Sequence, residues 1–292
     1  MFPDRASVRG RVPSPVRLIR VASLDDPDHR AALAGFANLK DRDLRAQAHA
    51  PDRADLFVAE GALVVLELLR SRFPVHSVLV AEARVGALRG GLDSLPPGTP
   101  VYVAPQAVLD SIVGFHVHRG VLALGWRLPP ASADTLLRDA PGAVVLEDLT
   151  NHDNVGGVFR CVAALAPPGT PVLLSPGCCD PLYRKAVRVS IGHALRVPFA
   201  TLDPWPGSLS LLADAGFDTL ALSPAGGVDL GEVHIAPGRR WALVLGSEGP
   251  GLSEGALAAC ALRARIAMTP GVDSLNVVVA AGIALHGIAR GR

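Results

Sequence analysis

Three loops in the second half of the chain carry polar side chains between an apolar, strand-like run and the start of a helix. They bring a carboxylate, two amides, a hydroxyl and a guanidinium, at Asn154, Arg160, Glu248, Ser274 and Asn276. Such groups can orient a polar substrate and stabilise charge that develops during a reaction. Ligands of α/β folds bind in loops of this kind, at the carboxyl ends of strands. These loops are therefore the candidate site of the chain.

The third loop leads from a strand predicted over Arg263–Met268 into a long apolar helix predicted over Val277–Ala289. We predict that Ser274 caps this helix, because its hydroxyl can accept a hydrogen bond from a free backbone amide of the first turn. Asn276 forms helices less readily than alanine or leucine, which indicates a second role for its side chain. Taken alone, this loop is also compatible with a capped core helix that has no catalytic role.

The second loop begins at Gly246, after an apolar strand, and is rich in glycine. Because glycine has no Cβ, the backbone at Gly246 can approach a ligand closely. A Rossmann dinucleotide site does not fit, since Gly246-Ser247-Glu248-Gly249-Pro250-Gly251 is not G-x-G-x-x-G. Pro250 would also interrupt the phosphate-binding turn of such a site.

Together the three loops resemble the signature motifs of the SpoU/TrmH family of RNA ribose 2′-O-methyltransferases, within the SPOUT superfamily. The motifs correspond to Asn154-x-Gly156-x-x-x-Arg160, Gly246-x-Glu248-x-x-Gly251 and Ser274-Leu275-Asn276. The resemblance implies an α/β fold of SPOUT type, a parallel sheet with a C-terminal trefoil knot, although sequence rules alone predict an unknotted chain. It also implies S-adenosylmethionine as the cofactor, bound bent in the knot at Leu245, Gly246, Ile266, Met268 and Leu275.

The same resemblance implies that Arg160 is the catalytic arginine. A guanidinium, with a pKa above about 12, is a poor free base. We therefore expect Arg160 to hold a phosphate and the ribose hydroxyl, while that phosphate or water takes the proton. Asn154 would hold Arg160 or the ribose, and Glu248 would accept hydrogen bonds from loop amides or from Asn154. Ser274 and Asn276 would line the acceptor side of the site.

The composition is that of a globular protein, with 49% apolar and 19% charged residues over 292 positions. No uncharged apolar run reaches the roughly 18 residues that would predict a membrane span. The four cysteines form neither a C-x-x-C pair nor a zinc spacing. We therefore predict no metal and no disulfide framework, and a reducing cytoplasm is the expected compartment. Cys161 is expected to be a small core residue rather than a nucleophile.

Two blocks flank a polar, proline-rich stretch. We predict a flexible tail over 1–15, an N-terminal α/β domain over 16–126, a linker over 127–142 and a methyltransferase domain over 143–292. Apolar runs in the second block, including Leu195–Phe199, alternate with helical patterns, which is typical of a parallel sheet covered on both faces. The N-terminal layout resembles the substrate-binding domain of many SpoU/TrmH enzymes, which has the fold of a ribosomal kink-turn-binding protein.

RNA binding requires a local concentration of basic groups, because the net charge is only +1. Arg184, Lys185 and Arg188 lie on neighbouring faces of a predicted helix and are the candidate RNA contacts. A solvated helix face is equally compatible with their spacing. Loop residues of the first block are further candidates, at His116, His118 and Arg119.

These observations predict an S-adenosylmethionine-dependent RNA ribose 2′-O-methyltransferase that acts on rRNA or tRNA. The family resemblance implies a homodimer whose assembly completes the RNA and cofactor sites. The alternative is an RNA-binding assembly factor of the same fold without turnover, which the complete set of motif residues disfavours. A small-molecule α/β enzyme is a third interpretation, which the extra N-terminal domain disfavours.

Overall fold

Two β-sheets organise the chain. The structure, a computed structural model, describes residues 17–37, 55–225 and 227–290. The tail predicted over 1–15 lies outside these residues. None of the helices in the described part of the chain has the length and apolar character needed to cross a membrane.

The first sheet has five strands in the order β1-β4-β3-β5-β2. The strands are β1 (Leu18–Arg20), β2 (Leu56–Glu60), β3 (Val75–Ala81), β4 (Val101–Ala104) and β5 (Val121–Trp126). Strands β1, β4 and β3 run parallel, and β5 is antiparallel to both of its neighbours. Helices cover the sheet: α1 (Pro27–Ala32), α2 (Ala62–Leu69), α3 (Val85–Leu92) and α4 (Gln106–Val113).

Strand β3 shows why this sheet has two apolar faces. Side chains alternate between the faces of a strand. Val78 and Val80 accordingly pack into one apolar cluster, and Leu79 and Ala81 into another on the opposite side. The sheet is therefore buried on both faces.

The second sheet has seven parallel strands in the order β10-β12-β9-β11-β6-β7-β8. The strands are β6 (Gly142–Leu146), β7 (Val172–Leu174), β8 (Phe199–Thr201), β9 (Phe217–Leu222), β10 (Val228–Asp229), β11 (Arg240–Leu245) and β12 (Leu262–Arg265). The helices are α5 (Ala133–Leu137), α6 (His152–Leu165), α7 (Arg184–Val189), α8 (Ser210–Asp214), α9 (Glu254–Ala259) and α10 (Val277–Arg290). Strand β6 is buried throughout, as the near-continuous apolar run of a central parallel strand requires.

Three of the differences between the structure and the sequence-based element boundaries are the largest. Helix α5 lies within the segment predicted as a linker, and Ala133, Leu137 and Ala140 are buried against the second sheet. Leu195 belongs to a 3₁₀ turn, so β8 begins only at Phe199. Strand β12 ends at Arg265, before the predicted Met268. The apolar run continues past the strand end at β12 and begins in a turn before β8. Composition does not distinguish such turn and loop residues from strand residues, which explains the last two differences.

Helices α6 and α10 pack side by side, and glycines allow their close approach. A Cβ at Gly157 would lie 2.5 Å from Cγ2 of Val278, and one at Gly282 would touch Sγ of Cys161. The contacts advance along both helices in the same direction. The two helix N-termini therefore lie at the same end, where motifs one and three begin.

Candidate active site

Asn276 joins the three motifs through its side chain. Its Nδ2 donates to Oδ1 of Asn154 at 3.1 Å and to Oε1 of Glu248 at 2.7 Å. Asn154 is buried, whereas Asn276 and Glu248 are exposed. Residues that are far apart in the sequence thus meet in one hydrogen-bonded cluster. Glu248 accepts from Asn276, which corrects the expectation that it would accept from loop amides or from Asn154.

The cap of α10 is Asn276, and the prediction of Ser274 as the cap is wrong. Oδ1 of Asn276 accepts from the backbone amide of Val278 at 2.9 Å, and its backbone carbonyl accepts from Ala280 at 3.0 Å. This is the geometry of a helix N-cap, a position for which asparagine is as suitable as serine. Ser274 is exposed and precedes the N-cap by two residues. The second role expected for Asn276 is therefore combined with capping.

The positive ends of two helices face the cluster. Asn151 caps α6 by accepting from the amide of Asp153, and Asn154 lies in the first turn of that helix. Asn276 caps α10. Because a helix N-terminus carries partial positive charge, both ends favour the carboxylate of Glu248 and other anionic groups nearby. The cluster is therefore held by charge as well as by hydrogen bonds.

A cavity of about 550 Å³ opens beside the cluster. All five residues predicted to hold the cofactor line it, namely Leu245, Gly246, Ile266, Met268 and Leu275. Glu248 and Ser274 also face the cavity. The lining thus combines apolar side chains with the carboxylates of Glu248, Glu254 and Asp273, so it suits a ligand that has both an apolar part and a positive centre.

In the glycine-rich turn, the backbone at Gly246 lies directly against the backbone of Gly251 and Leu252. A Cβ at this position would lie 2.3 Å from the carbonyl carbon of Gly251, so no side chain could be placed there without moving the backbone. Gly249 and Gly251 have φ values of 91° and 72°, which favour glycine. The amide of Gly251 donates to the carbonyl of Ser247 at 3.1 Å. Backbone geometry, rather than side chains, therefore shapes this wall of the cavity.

Glu147 is a buried carboxylate that the sequence reasoning did not single out. It follows β6, and its Oε1 accepts from Nε1 of Trp205 at 2.6 Å. Its Oε2 accepts from the amide of Ser253 at 2.9 Å, and Ser253 is the N-cap of α9. Glu147 therefore ties motif one's strand to the far end of the glycine-rich turn. Its position directly after a fully apolar strand could have identified it as a candidate functional residue.

Arg160 stands apart from the cluster within one chain. It is exposed and makes no hydrogen bond or ion pair with any described residue. Six residues of helix separate it from Asn154, which corresponds to about 9 Å along the axis and roughly 240° around it. The structure thus brings Asn154, Glu248 and Asn276 together and leaves Arg160 facing elsewhere.

Cys161, the neighbour of Arg160, has the character of a core residue. Burial raises the pKa of its thiol, and the charge of Arg160 opposes that shift only in part. Its sulfur lies 3.6 Å from the carbonyl oxygen of Val278, in the interface between α6 and α10. A thiol in this state is a poor nucleophile.

The three candidate RNA contacts on α7 have different surroundings. Arg184 is buried, forms an ion pair with Glu60 at 2.7 Å and lies over the ring of Phe115. It therefore joins the two sheets, and the prediction that it contacts RNA is corrected, because its guanidinium faces the protein. Lys185 pairs with Asp153 at 2.6 Å, and Arg188 is exposed beside Glu60.

Comparisons with known proteins agree with this geometry. Residues 141–286 match the SpoU rRNA Methylase family. The chain is 40% identical over 268 residues to a protein of Mycobacterium tuberculosis described as an uncharacterised tRNA/rRNA methyltransferase, and the match covers 91% of each chain.

Two solved structures share the fold. An AdoMet-bound rRNA methyltransferase from Sinorhizobium meliloti has a TM-score of 0.73 at 21% identity, over 94% of this chain and 98% of its own. An RNA 2′-O ribose methyltransferase has a TM-score of 0.69 at 22% identity, over 94% of this chain and 99% of its own. The matched family region contains all three motif loops, and these likenesses support the cofactor expected from the sequence. The chain belongs to the SpoU rRNA methylase family.

Proposed function

We propose that this protein transfers a methyl group from S-adenosylmethionine to a ribose 2′-hydroxyl of rRNA or tRNA. The observation that carries the proposal is the meeting of Asn154, Glu248 and Asn276 beside the 550 Å³ cavity. Membership of the SpoU family supports RNA methylation. The similar fold of an RNA 2′-O ribose methyltransferase is compatible with the ribose as acceptor.

The volume and the lining of the cavity are compatible with S-adenosylmethionine. The bound molecule supplies a methyl group on a sulfonium centre that is already electrophilic, so the protein need only position it. Leu245, Ile266 and Met268 would contact its apolar parts, and the turn at Gly246 would offer backbone groups at close range. The carboxylate of Glu248 would face its positive charge.

The acceptor hydroxyl needs a group that stabilises the charge it develops. We assign this to Arg160, which would bind the hydroxyl and an adjacent phosphate through its planar donors. Asn154 and Asn276, which are hydrogen-bonded to each other, would orient the ribose. The proton would pass to the phosphate or to water, because a guanidinium stays charged at neutral pH.

A second copy of the chain would complete the site. Arg160 faces away from the cluster of its own chain, so the arginine of a partner subunit would have to serve it. The outer face of α10 supports a homodimer, because Val279 and Ile283 are exposed one helical turn apart and Val272 is exposed on the preceding loop. An exposed apolar face of this kind marks an interaction site.

Two finer features of the fold are also part of the proposal. We propose that the chain around motifs two and three forms the trefoil knot of SPOUT proteins, supported by the likeness of fold and by the contact of Asn276 with Glu248. We further propose that residues 16–126 form an RNA-binding domain of the kink-turn-binding type, separate from the domain at 143–292. The five-stranded mixed sheet with helices on both faces is compatible with it.

The proposal is tested by supplying the purified protein with S-adenosylmethionine, labelled in its methyl group, and with unmodified bacterial rRNA or tRNA. A 2′-O-methyl group blocks alkaline cleavage of the adjoining phosphodiester, so the label should appear in alkali-resistant dinucleotides. Label in single nucleotides would place the methyl group on a base. Binding of both ligands without transfer would favour the alternative, an RNA-binding factor without turnover.

A further inference from the structure

Glu60 and Glu67 lie where the two sheets meet, and each forms ion pairs with two arginines. Oε2 of Glu60, at the end of β2, lies 2.7 Å from Nη1 of Arg184 and 3.4 Å from Nη1 of Arg188. Both arginines belong to α7, four residues apart and so on one face of the helix. One carboxylate thus faces two guanidiniums.

Glu67, on α2, has the same arrangement. Its Oε1 lies 3.5 Å from Nη1 of Arg70, and its Oε2 lies 3.3 Å from Nη1 of Arg196. Arg196 belongs to the part of the chain that forms the second sheet. Gly192 fits tightly here, because a Cβ at that position would lie 2.7 Å from Cβ of Glu67. We call the four arginines 70, 184, 188 and 196, with their two glutamates, the arginine seam.

The seam presents positive charge to solvent. Its carboxylates are only 13% and 15% exposed at Glu60 and Glu67. The side chains of Arg70, Arg188 and Arg196 are 69%, 41% and 56% exposed. Four cations against two carboxylates leave two positive charges in excess, on the outside.

Holding the sheets together does not require the outer arginines. The buried pair of Arg184 and Glu60 already joins them, and Leu182, Val187 and Leu195 pack into the apolar cluster of the first sheet. Exposed ion pairs contribute little to stability. The exposed guanidiniums are therefore available for a ligand that offers several anionic groups.

Two further arginines extend the seam at the Glu60 end. A Cβ at Gly61, next to Glu60, would lie 2.9 Å from Cδ of Arg119, and one at Gly120 would lie 3.1 Å from Cγ of Arg84. Neither arginine makes an ion pair with a described residue.

At the other end of the seam stands His193. Burial lowers its pKa, the carboxylate of Glu67 opposes this shift, and the charges of Arg196 and Arg160 lower the pKa further. Arg160 belongs to α6, and α6 packs against the turn that contains His193, so Arg160 lies near this end of the seam.

We propose that the exposed arginines of the seam, Arg70, Arg188 and Arg196, bind the phosphates of an RNA strand and lead that strand to Arg160. The inference rests on the proposed function and names the surface by which the substrate is held. Arginine suits this task because its planar fork binds phosphate oxygens in pairs. The seam would also explain how a chain with a net charge of only +1 can bind RNA, because the seam concentrates positive charge on one part of the surface.

The test compares two triple variants with the same change in charge. The seam variant is Arg70→Gln, Arg188→Gln and Arg196→Gln, which keeps the buried pair of Arg184 and Glu60. The control variant is Arg20→Gln, Arg30→Gln and Arg239→Gln. Arg20 lies on β1, at the sheet edge opposite β2, and Arg239 is an exposed ion-pair residue that precedes β11. Each protein is titrated with unmodified rRNA and tRNA at several salt concentrations, and with S-adenosylmethionine by calorimetry.

We expect the seam variant to bind RNA at least tenfold more weakly than the control. The slope of log affinity against log salt should fall by roughly two to three units, about 0.7 to 0.9 for each phosphate that the protein no longer neutralises. S-adenosylmethionine affinity should stay equal in both variants. If the seam and control variants bind RNA alike while the wild type methylates RNA, the seam proposal is wrong and the proposed function stands. If the wild type neither binds nor methylates RNA, both proposals fail.

Discussion

The cluster of Asn154, Glu248 and Asn276 and the arginine seam differ in how far their hydrogen-bonding groups are paired within the protein. In the cluster, the side chain of Asn276 alone makes three hydrogen bonds, with the amide of Val278, with Asn154 and with Glu248. In the seam, donors exceed acceptors, and the surplus faces solvent. A network whose donors and acceptors are all paired holds its side chains in one geometry. A network with donors in excess can still donate to an anionic ligand. This difference supports the two proposals, that the cluster positions the reacting groups and that the seam binds the substrate.

Arg160 should show the largest effect, because it would link the two regions. Arg160→Ala should lower methyl transfer by two orders of magnitude or more, since it removes an interaction made in the transition state. Arg160→Lys should fail as well, since a point charge does not reproduce the planar fork. Kinetics and calorimetry would measure turnover and S-adenosylmethionine affinity, which should remain near normal because Arg160 lies outside the cavity lining. Turnover near that of the wild type would exclude Arg160 from the chemistry.

Glu147 should show the next largest effect, on stability. Glu147→Gln keeps one acceptor oxygen and turns an amide nitrogen towards either Trp205 or Ser253, both of which donate at this position. One buried donor is then unsatisfied, which costs about 1–3 kcal/mol. Denaturant unfolding would measure this loss, with Glu232→Gln as the exposed control. Equal stability of the two variants would show that the glycine-rich turn does not depend on Glu147.

Two substitutions of Asn276 separate capping from the hydrogen bonds of the cluster. Asn276→Ala should lower the free energy of unfolding by about 1 kcal/mol because the helix cap is removed. Asn276→Ser should restore most of that stability, because serine is also a good N-cap. Both variants should lose at least tenfold in turnover, because alanine has no side-chain donor and serine has a single, shorter O–H that cannot donate to both Asn154 and Glu248. If the serine variant recovered turnover together with stability, the cluster would have only a structural role.

The sequence predicted the two sheets and the motif residues better than it predicted their partners. Buried strands such as β6 are continuous apolar runs, and the motif spacings identified Asn154, Glu248 and Asn276. The cap was assigned to Ser274 because serine and asparagine are both good caps and the helix start was uncertain by two residues. The burial of Arg184 could not be predicted, because its partner Glu60 lies 124 positions away in the chain.

The central claim is that the cluster of one subunit works with Arg160 of the other. Its most direct test is methyl transfer to RNA by a mixed dimer of an Arg160→Ala chain and an Asn276→Ala chain, purified through two different tags. Each homodimer should be nearly inactive. If Arg160 serves the partner's cluster, the mixed dimer has one intact site of two and should recover about half of the wild-type turnover. A mixed dimer as inactive as both homodimers would show that Arg160 acts within its own chain and would contradict the account.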